Sequence, residues 1–246
     1  MHAFERAARG KRRKSDVAAF EFRLMDNLLQ LRRTLLDASY RPGRYRHFLI
    51  HEPKWRKISA ADFRDRVVHH ALCSIIEPRF ERAFLPDSYA NRTDKGTHRA
   101  VDRFQHFARR YRYVLRADIK QHFASIDHEF LLEALRTRVP EPDLLRLIAL
   151  ILASGRDALA DQYDMVYFPG DDLLAACRAR GLPIGNPVSA RLYNMLCEPS
   201  QNGLPSVALQ PHRFCTPSFS AVKRIGVKLE PLCVPSQNGC LADLPQ

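Results

Sequence analysis

Asp118 closes a short, mostly apolar run, Tyr113-Val114-Leu115-Arg116-Ala117, and an aromatic, Phe123, follows five positions later. A carboxylate at the C-terminal end of a strand can reach an open site instead of the core; the same position also suits a residue that merely ends the strand. Asp127, just beyond, reads as a helix cap. Two basic segments precede it. Lys54, Arg56 and Lys57 crowd one turn and the strand after it, which suits phosphate contact or a charged, exposed hairpin edge. Arg92, Lys95 and Arg99 surround Gly96 just before a helical pattern, and a basic, glycine-bearing turn at a helix N-terminus can cradle phosphate. His69 and His70 point in adjacent helical directions. They read as packing or surface residues, since two metal ligands on one helix want a spacing of four. The six cysteines include no C-x-x-C pair, which argues against a thiolate zinc site and against a disulfide framework.

The elements that must position these residues follow from periodicity. Val17, Phe20, Leu24, Leu28, Leu31 and Leu35 recur at steps of three and four, predicting one helix from an N-cap at Ser15 to about Asp37. Arg41-Pro42-Gly43 breaks it. His47 to Ile50 and Trp55 to Ser59 read as strands around a turn at Glu52-Pro53-Lys54. A helix from Ala60 to Glu77, with Phe63, Val67, Ala71 and Ile75 inward, is expected to stop at Pro78. Another starts at Thr97 and carries Ala100, Val101, Phe104 and Phe107. Tyr111 to Asp118 is a strand, Asp127 caps a helix through Arg138, and Glu141 to Ala153 forms a helix with Pro142 in its first turn.

Charge is distributed unevenly. Residues 1–120 hold 28 Lys and Arg against 14 Asp and Glu, while the remainder hold 11 against 13. A basic half of this kind suits a phosphate backbone, or is a solvated surface with no dedicated partner. No run of eighteen apolar residues occurs, so no membrane span is expected. The basic N-terminus lacks an apolar signal core, so a cytoplasmic location is the expectation.

Four segments, in order, resemble motifs of reverse transcriptases, closest to those of group II introns, retrons and diversity-generating retroelements. They are the hairpin Glu52 to Ser59 with Phe63-Arg64-Asp65-Arg66-Val67, the turn Ser88 to Val101, the stretch Asp118 to His128, and Gly181-Leu182-Pro183-Ile184-Gly185-Asn186. The resemblance implies an α+β fold, the fingers and part of the palm of a right-hand polymerase. That fold would be helix-rich, with a short β-hairpin and an incomplete antiparallel palm sheet. It divides the chain into an N-terminal basic segment and helix (1–39), fingers (40–110), partial palm (111–198) and an aberrant, weakly ordered tail (199–246). It also implies Asp118 as catalytic carboxylate and Mg²⁺ ligand, helped by the backbone carbonyl of Ile119. Phe123 would lie under the incoming sugar. Arg56, Arg92, Lys95 and Arg99 would meet the triphosphate, and Lys54 and Lys57 the nucleic acid. Gly181, Pro183 and Gly185 would let backbone approach the nascent base pair. The implied partners are an RNA template, a DNA or RNA primer and deoxynucleoside triphosphates. No motif sets an oligomeric state.

The motif resemblance ends near Asn186. Beyond it lie only three acids, Glu198, Glu230 and Asp243, where the family pattern calls for Tyr-x-Asp-Asp and then a helical thumb. Seven of sixteen prolines fall in the last 48 residues, and Pro-Ser-Gln-Asn-Gly occurs at both 199–203 and 235–239. A frameshift, insertion or rearranged gene end after about Asn186 is the expectation. With one aspartate for two divalent ions, a chain defective in synthesis is expected. The alternatives are a non-catalytic nucleic-acid-binding remnant and an unrelated basic DNA-binding protein, the latter without a visible recognition helix.

Overall fold

The computed structural model describes residues 1–51, 55–111, 113–116, 122–156, 158–163, 174, 177–197 and 228–231, with 113–116, 122, 193–197 and 228–231 as backbone only. In chain order the elements begin with α1 (His2–Ala8), α2 (Ser15–Phe22), α3 (Leu24–Leu36), β1 (Arg46–His51), β2 (Trp55–Ala60) and α4 (Phe63–Glu81). They continue with α5 (Thr97–Ala108), β3 (Tyr113–Arg116), α6 (His122–Ser125), α7 (His128–Arg136) and α8 (Pro142–Ser154). A 3-10 turn (Ala160–Gln162), α9 (Pro187–Cys197) and β4 (Lys228–Pro231) complete the set. Among the described residues the fold is therefore helix-rich α+β, with two two-stranded antiparallel sheets, β1-β2 and β3-β4.

The chain divides into two compact units: Met1–Leu85 with Gln121–Thr216, and Pro86–Lys120 with Pro217–Gln246. Among its described residues, the first holds two buried clusters. One gathers Phe4, Val17, Phe20, Leu31, Phe63 and Val67, with Phe20 edge-on to Phe63 at 5.3 Å. The other packs Leu72, Ile76 and Phe80 of α4 against Leu131, Ile148 and Leu192 from α7, α8 and α9. The long helix α4 serves both, so apolar residues line more than one of its faces. This is why its inward set differs from the single stripe expected: Phe63 and Val67 are buried, but Ala71 is half-buried and Ile75 is exposed.

Three boundaries differ from the sequence reading. The helix expected over 15–37 breaks at Arg23, which leaves helical geometry (φ −119°, ψ 42°), and Ser15 is its first residue, not its cap. The Asn27 amide donates to the Phe20 carbonyl at 2.9 Å, satisfying an acceptor near the break, while the apolar stripe continues on both sides. Helix α4 runs through Pro78 to Glu81. A proline inside a helix costs about 3 kcal/mol, but here the last turn is anchored from both sides. Phe80 is buried, and Arg79 donates two hydrogen bonds of 2.6 Å to Glu141 at the start of α8. Those bonds hold the Glu141 carboxyl down at about 2. The basic N-terminus, given no helix before Ser15, forms α1 and buries Phe4, Ala7 and Ala8.

Within the tail, residues 228–231 form β4, paired antiparallel with β3. Lys228-Leu229-Glu230 alternates polar and apolar over too short a run to stand out from proline-rich surroundings.

Candidate functional site

The segment from Phe123 to His128 is laced to the glycine hexapeptide by backbone. Leu182 N–H donates to the Phe123 carbonyl (2.7 Å), Gly181 N–H to the Ile126 carbonyl (2.9 Å), and His128 N–H to the Ala179 carbonyl (2.9 Å). Asp127 and Arg180 form an antiparallel bridge between them. A side chain adds to this ladder: His128 Nε2 lies 2.7 Å from the Gly181 carbonyl oxygen, and burial pushes the imidazole pKa down. The neutral ring bearing hydrogen on Nε2 can therefore donate there, holding Gly181 in its left-handed conformation (φ +93°).

Asp127 caps α7 as expected. Its Oδ1 accepts from the N–H groups of Glu129 (2.9 Å) and Phe130 (3.3 Å). Asp127→Ala should cost about 1 kcal/mol of stability, read as a lower urea midpoint. An unchanged midpoint would show that the backbone ladder alone fixes the start of α7.

The β1-β2 hairpin joins the same assembly within the first unit. Ser59 N–H donates to the Ile184 carbonyl at 2.8 Å. Gly185 (φ +101°) sits so close to β2 that a Cβ there would lie 2.7 Å from Ile58 Cγ2. Pro183 is wedged against Gly155, where a Cβ would meet its ring at 2.2 Å. Asn186 turns both ends of its amide to use, donating to the Tyr45 hydroxyl (2.9 Å) and accepting from Val188 N–H (2.9 Å) at the head of α9. Burial raises the Tyr45 pKa. Thus Phe123, Gly181, Pro183, Gly185 and strand β2 belong to one packed body.

The basic residues fare differently. Arg56 is exposed on β2. Lys57 is ion-paired with Asp161 of the 3-10 turn, Nζ lying 3.2 Å from Oδ1 and 3.4 Å from Oδ2. In the second unit, Asn91, Asp94 and Gly96 take positive φ and shape the turn before α5. Arg92 donates to the Ser88 carbonyl (3.2 Å), and Lys95 donates to the Pro86 carbonyl while its ammonium lies 5.0 Å over the Tyr89 ring. Arg99 is exposed in the first turn of α5. Asp118, Ile119 and Lys54 lie outside the described residues. The roles of Asp161, His128, Tyr45 and Gly155 had no signal in spacing, because each depends on a partner distant in sequence.

Among the described residues no group of three or more His, Cys, Asp or Glu is gathered to hold a metal ion. Among the described residues, Phe123 packs against the apolar cluster that contains Leu182, and Asp127 is engaged as a cap. These residues by themselves therefore do not fit a pair of Mg²⁺ ions. Nor, among them, is any helix long and apolar enough to cross a membrane.

The family model described as reverse transcriptase (RNA-dependent DNA polymerase) matches residues 50–214. The chain belongs to the reverse transcriptase family. The match takes in the hairpin, the Phe123 segment and the glycine hexapeptide, and it continues past Asn186, where the motif resemblance was expected to end. Protein YkfC of Escherichia coli (strain K12) is similar, 25% identical over 181 residues that make up 71% of this chain and 44% of that protein. The group II intron-encoded protein LtrA of Lactococcus lactis subsp. cremoris is 24% identical over 133 residues, 53% of this chain and 22% of that protein. The same figures hold for LtrA of strain MG1363. This reverse transcriptase chain thus spans less than half the length of the curated relatives it matches.

Proposed function

We propose that the chain supplies the fingers (40–110) and part of the palm (111–198) of an RNA-directed DNA polymerase. It would act on an RNA template with a DNA or RNA primer and deoxynucleoside triphosphates. Family membership supports the reaction class. The single observation that carries the site is the backbone ladder joining Phe123–His128 to Ala179–Leu182, extended by Ser59 to Ile184. It gathers three separated motifs into one wall, as a site for a base pair requires. On this reading Phe123 lies beneath the incoming sugar, and Gly181, Pro183 and Gly185 form the surface over which the new pair passes. Arg56, Arg92, Lys95 and Arg99 serve the triphosphate, and Lys54 and Lys57 serve the strands.

Mg²⁺ would supply charge neutralisation for phosphoryl transfer. The Asp118 carboxylate and the Ile119 carbonyl would be its ligands on this reading. One carboxylate is too few for two divalent ions, so the chain by itself binds nucleic acid and extends primers poorly or not at all. The basic first 120 residues support the nucleic-acid binding.

The test compares the chain with its Asp118→Ala variant on a labelled primer–template. Binding should weaken steeply between about 50 and 200 mM salt, equally in both, with no extension by either. Robust Mg²⁺-dependent synthesis lost in Asp118→Ala would establish full catalysis instead. Salt-insensitive or absent binding would sink both readings.

A further inference from the structure

Lys57 does not stand free. It precedes Ile58, which closes on Gly185, and Ser59, which is bonded to Ile184, so its backbone is fixed beside the glycine hexapeptide. Its ammonium is held by both carboxylate oxygens of Asp161, at 3.2 and 3.4 Å. The pair is asymmetric. The Lys57 side chain is 24% exposed and that of Asp161 is 61% exposed. The turn bearing Asp161 follows Gly155, which is itself packed on Pro183, so cation and anion are presented by the same body.

We propose that Asp161 is an internal stand-in for a nucleic-acid phosphate, occupying Lys57 until a polyanion displaces it, and so sets how tightly this chain holds nucleic acid. The inference rests on the nucleic-acid reading above and adds a residue to it. A carboxylate and a phosphate oxygen make the same kind of charge-assisted contact with an ammonium group, so the exchange costs little in direct bonding. Asp161 is mostly solvated already, and an exposed pair of this kind is weak, so releasing it is cheap. The incoming strand also releases its own counterions, which the carboxylate cannot do. Once displaced, the Asp161 carboxylate repels the phosphate beside it. Removing its charge should therefore tighten binding, and only while Lys57 is present.

The experiment uses the whole chain and a fluorescein-labelled RNA primer–template, with binding followed by anisotropy across a salt series. Asp161→Asn should tighten binding about two- to fivefold at low salt, in keeping with the strength of an exposed pair. It should also steepen the salt dependence, by up to about one phosphate contact. Lys57→Ala should weaken binding, and Asp161→Asn added to Lys57→Ala should recover less than half of that gain. Asp143→Asn, which removes the same charge from the first turn of α8, controls for net charge and should change binding less. An Asp161→Asn chain that binds like the unmodified one overturns the inference, as does a gain that survives in Lys57→Ala or is matched by Asp143→Asn. Absence of salt-sensitive binding by the unmodified chain overturns the nucleic-acid reading beneath it.

Discussion

Asp65→Ala should lower the unfolding free energy of the first unit by about 3 to 5 kcal/mol, read as a shift of the urea midpoint with unchanged slope. Asp65 is 1% exposed and is the acceptor on which the turn after α3 is built. It takes hydrogen bonds from the Tyr40 hydroxyl (2.9 Å), Gly43 N–H (2.7 Å), and Arg64 Nε (3.1 Å) and Nη2 (2.9 Å). The Tyr40 hydroxyl pKa is raised, by burial first and by the Asp65 charge next, so it stays a donor at every relevant pH. Alanine leaves the Tyr40 hydroxyl and Gly43 N–H without an acceptor, whereas Arg64, half exposed, can turn to water. Asp65→Asn keeps one acceptor and should lose about half as much. Because this network fixes residues 40–43 at the foot of β1, Asp65→Ala should also speed hydrogen exchange in β1 and β2. A midpoint loss below about 1 kcal/mol would mean that ordinary exposed pairing is all Asp65 provides.

Acid should weaken the fold before most carboxylates titrate. His69 is 1% exposed, and neither of its ring nitrogens has a hydrogen-bond partner among the described residues. Burial pushes its pKa down to about 4 from 6.5; His70 and Arg66 push the same way, and Asp65 opposes them. A base whose pKa is lowered in the folded state is bound neutral by the fold, and the unfolded chain takes up the proton first. Stability is therefore intact above about pH 6.5 and falls as pH drops toward 4. The loss should be about 3 kcal/mol across that window. His70 and His128, also lowered by burial, add in the same direction. Glu141 acts lower, between its ordinary value of 4.5 and about 2, so the two effects separate on the pH axis. Urea midpoints measured at several pH values should fall steeply in this range, and His69→Leu should flatten most of the slope. The same substitution removes two unsatisfied buried nitrogens and should raise stability at neutral pH. A His69→Leu slope equal to that of the unmodified chain would assign the acid sensitivity elsewhere.

What the sequence disclosed was what neighbours decide. The β1-β2 hairpin, the Asp127 cap and the proline-started α8 follow from side chains within a few positions of each other. What it withheld depends on distant partners. Pro78 reads as a stop until Phe80 finds the core and Arg79 finds Glu141. The break at Arg23 is invisible in the apolar stripe, because the stripe passes through it unchanged. At the site, the glycine hexapeptide stood out as a place where backbone must come close. Its observed neighbour at Gly185 is Ile58, a packing demand that accompanies the approach of a base pair under the proposed function. Lys57 reads as a phosphate contact or a charged hairpin edge, since nothing near it in sequence announces Asp161.

The first unit is written in two instalments, and this bears on how the chain is made. Phe4, Val17, Phe20, Phe63 and Val67 are all present once the first 68 residues exist, so their cluster can collapse early on the ribosome. The later half of α4 must wait. Leu72, Ile76 and Phe80 face Leu131, Ile148 and Leu192, and β2 has no Ile184 to pair with until the second instalment emerges. Closing so long a loop carries its entropy penalty up front and is repaid only when the last contacts form. A nascent chain halted before residue 187 should therefore be the species that binds chaperones, the apolar face of its half-helix fully covered only when α9 brings Leu192.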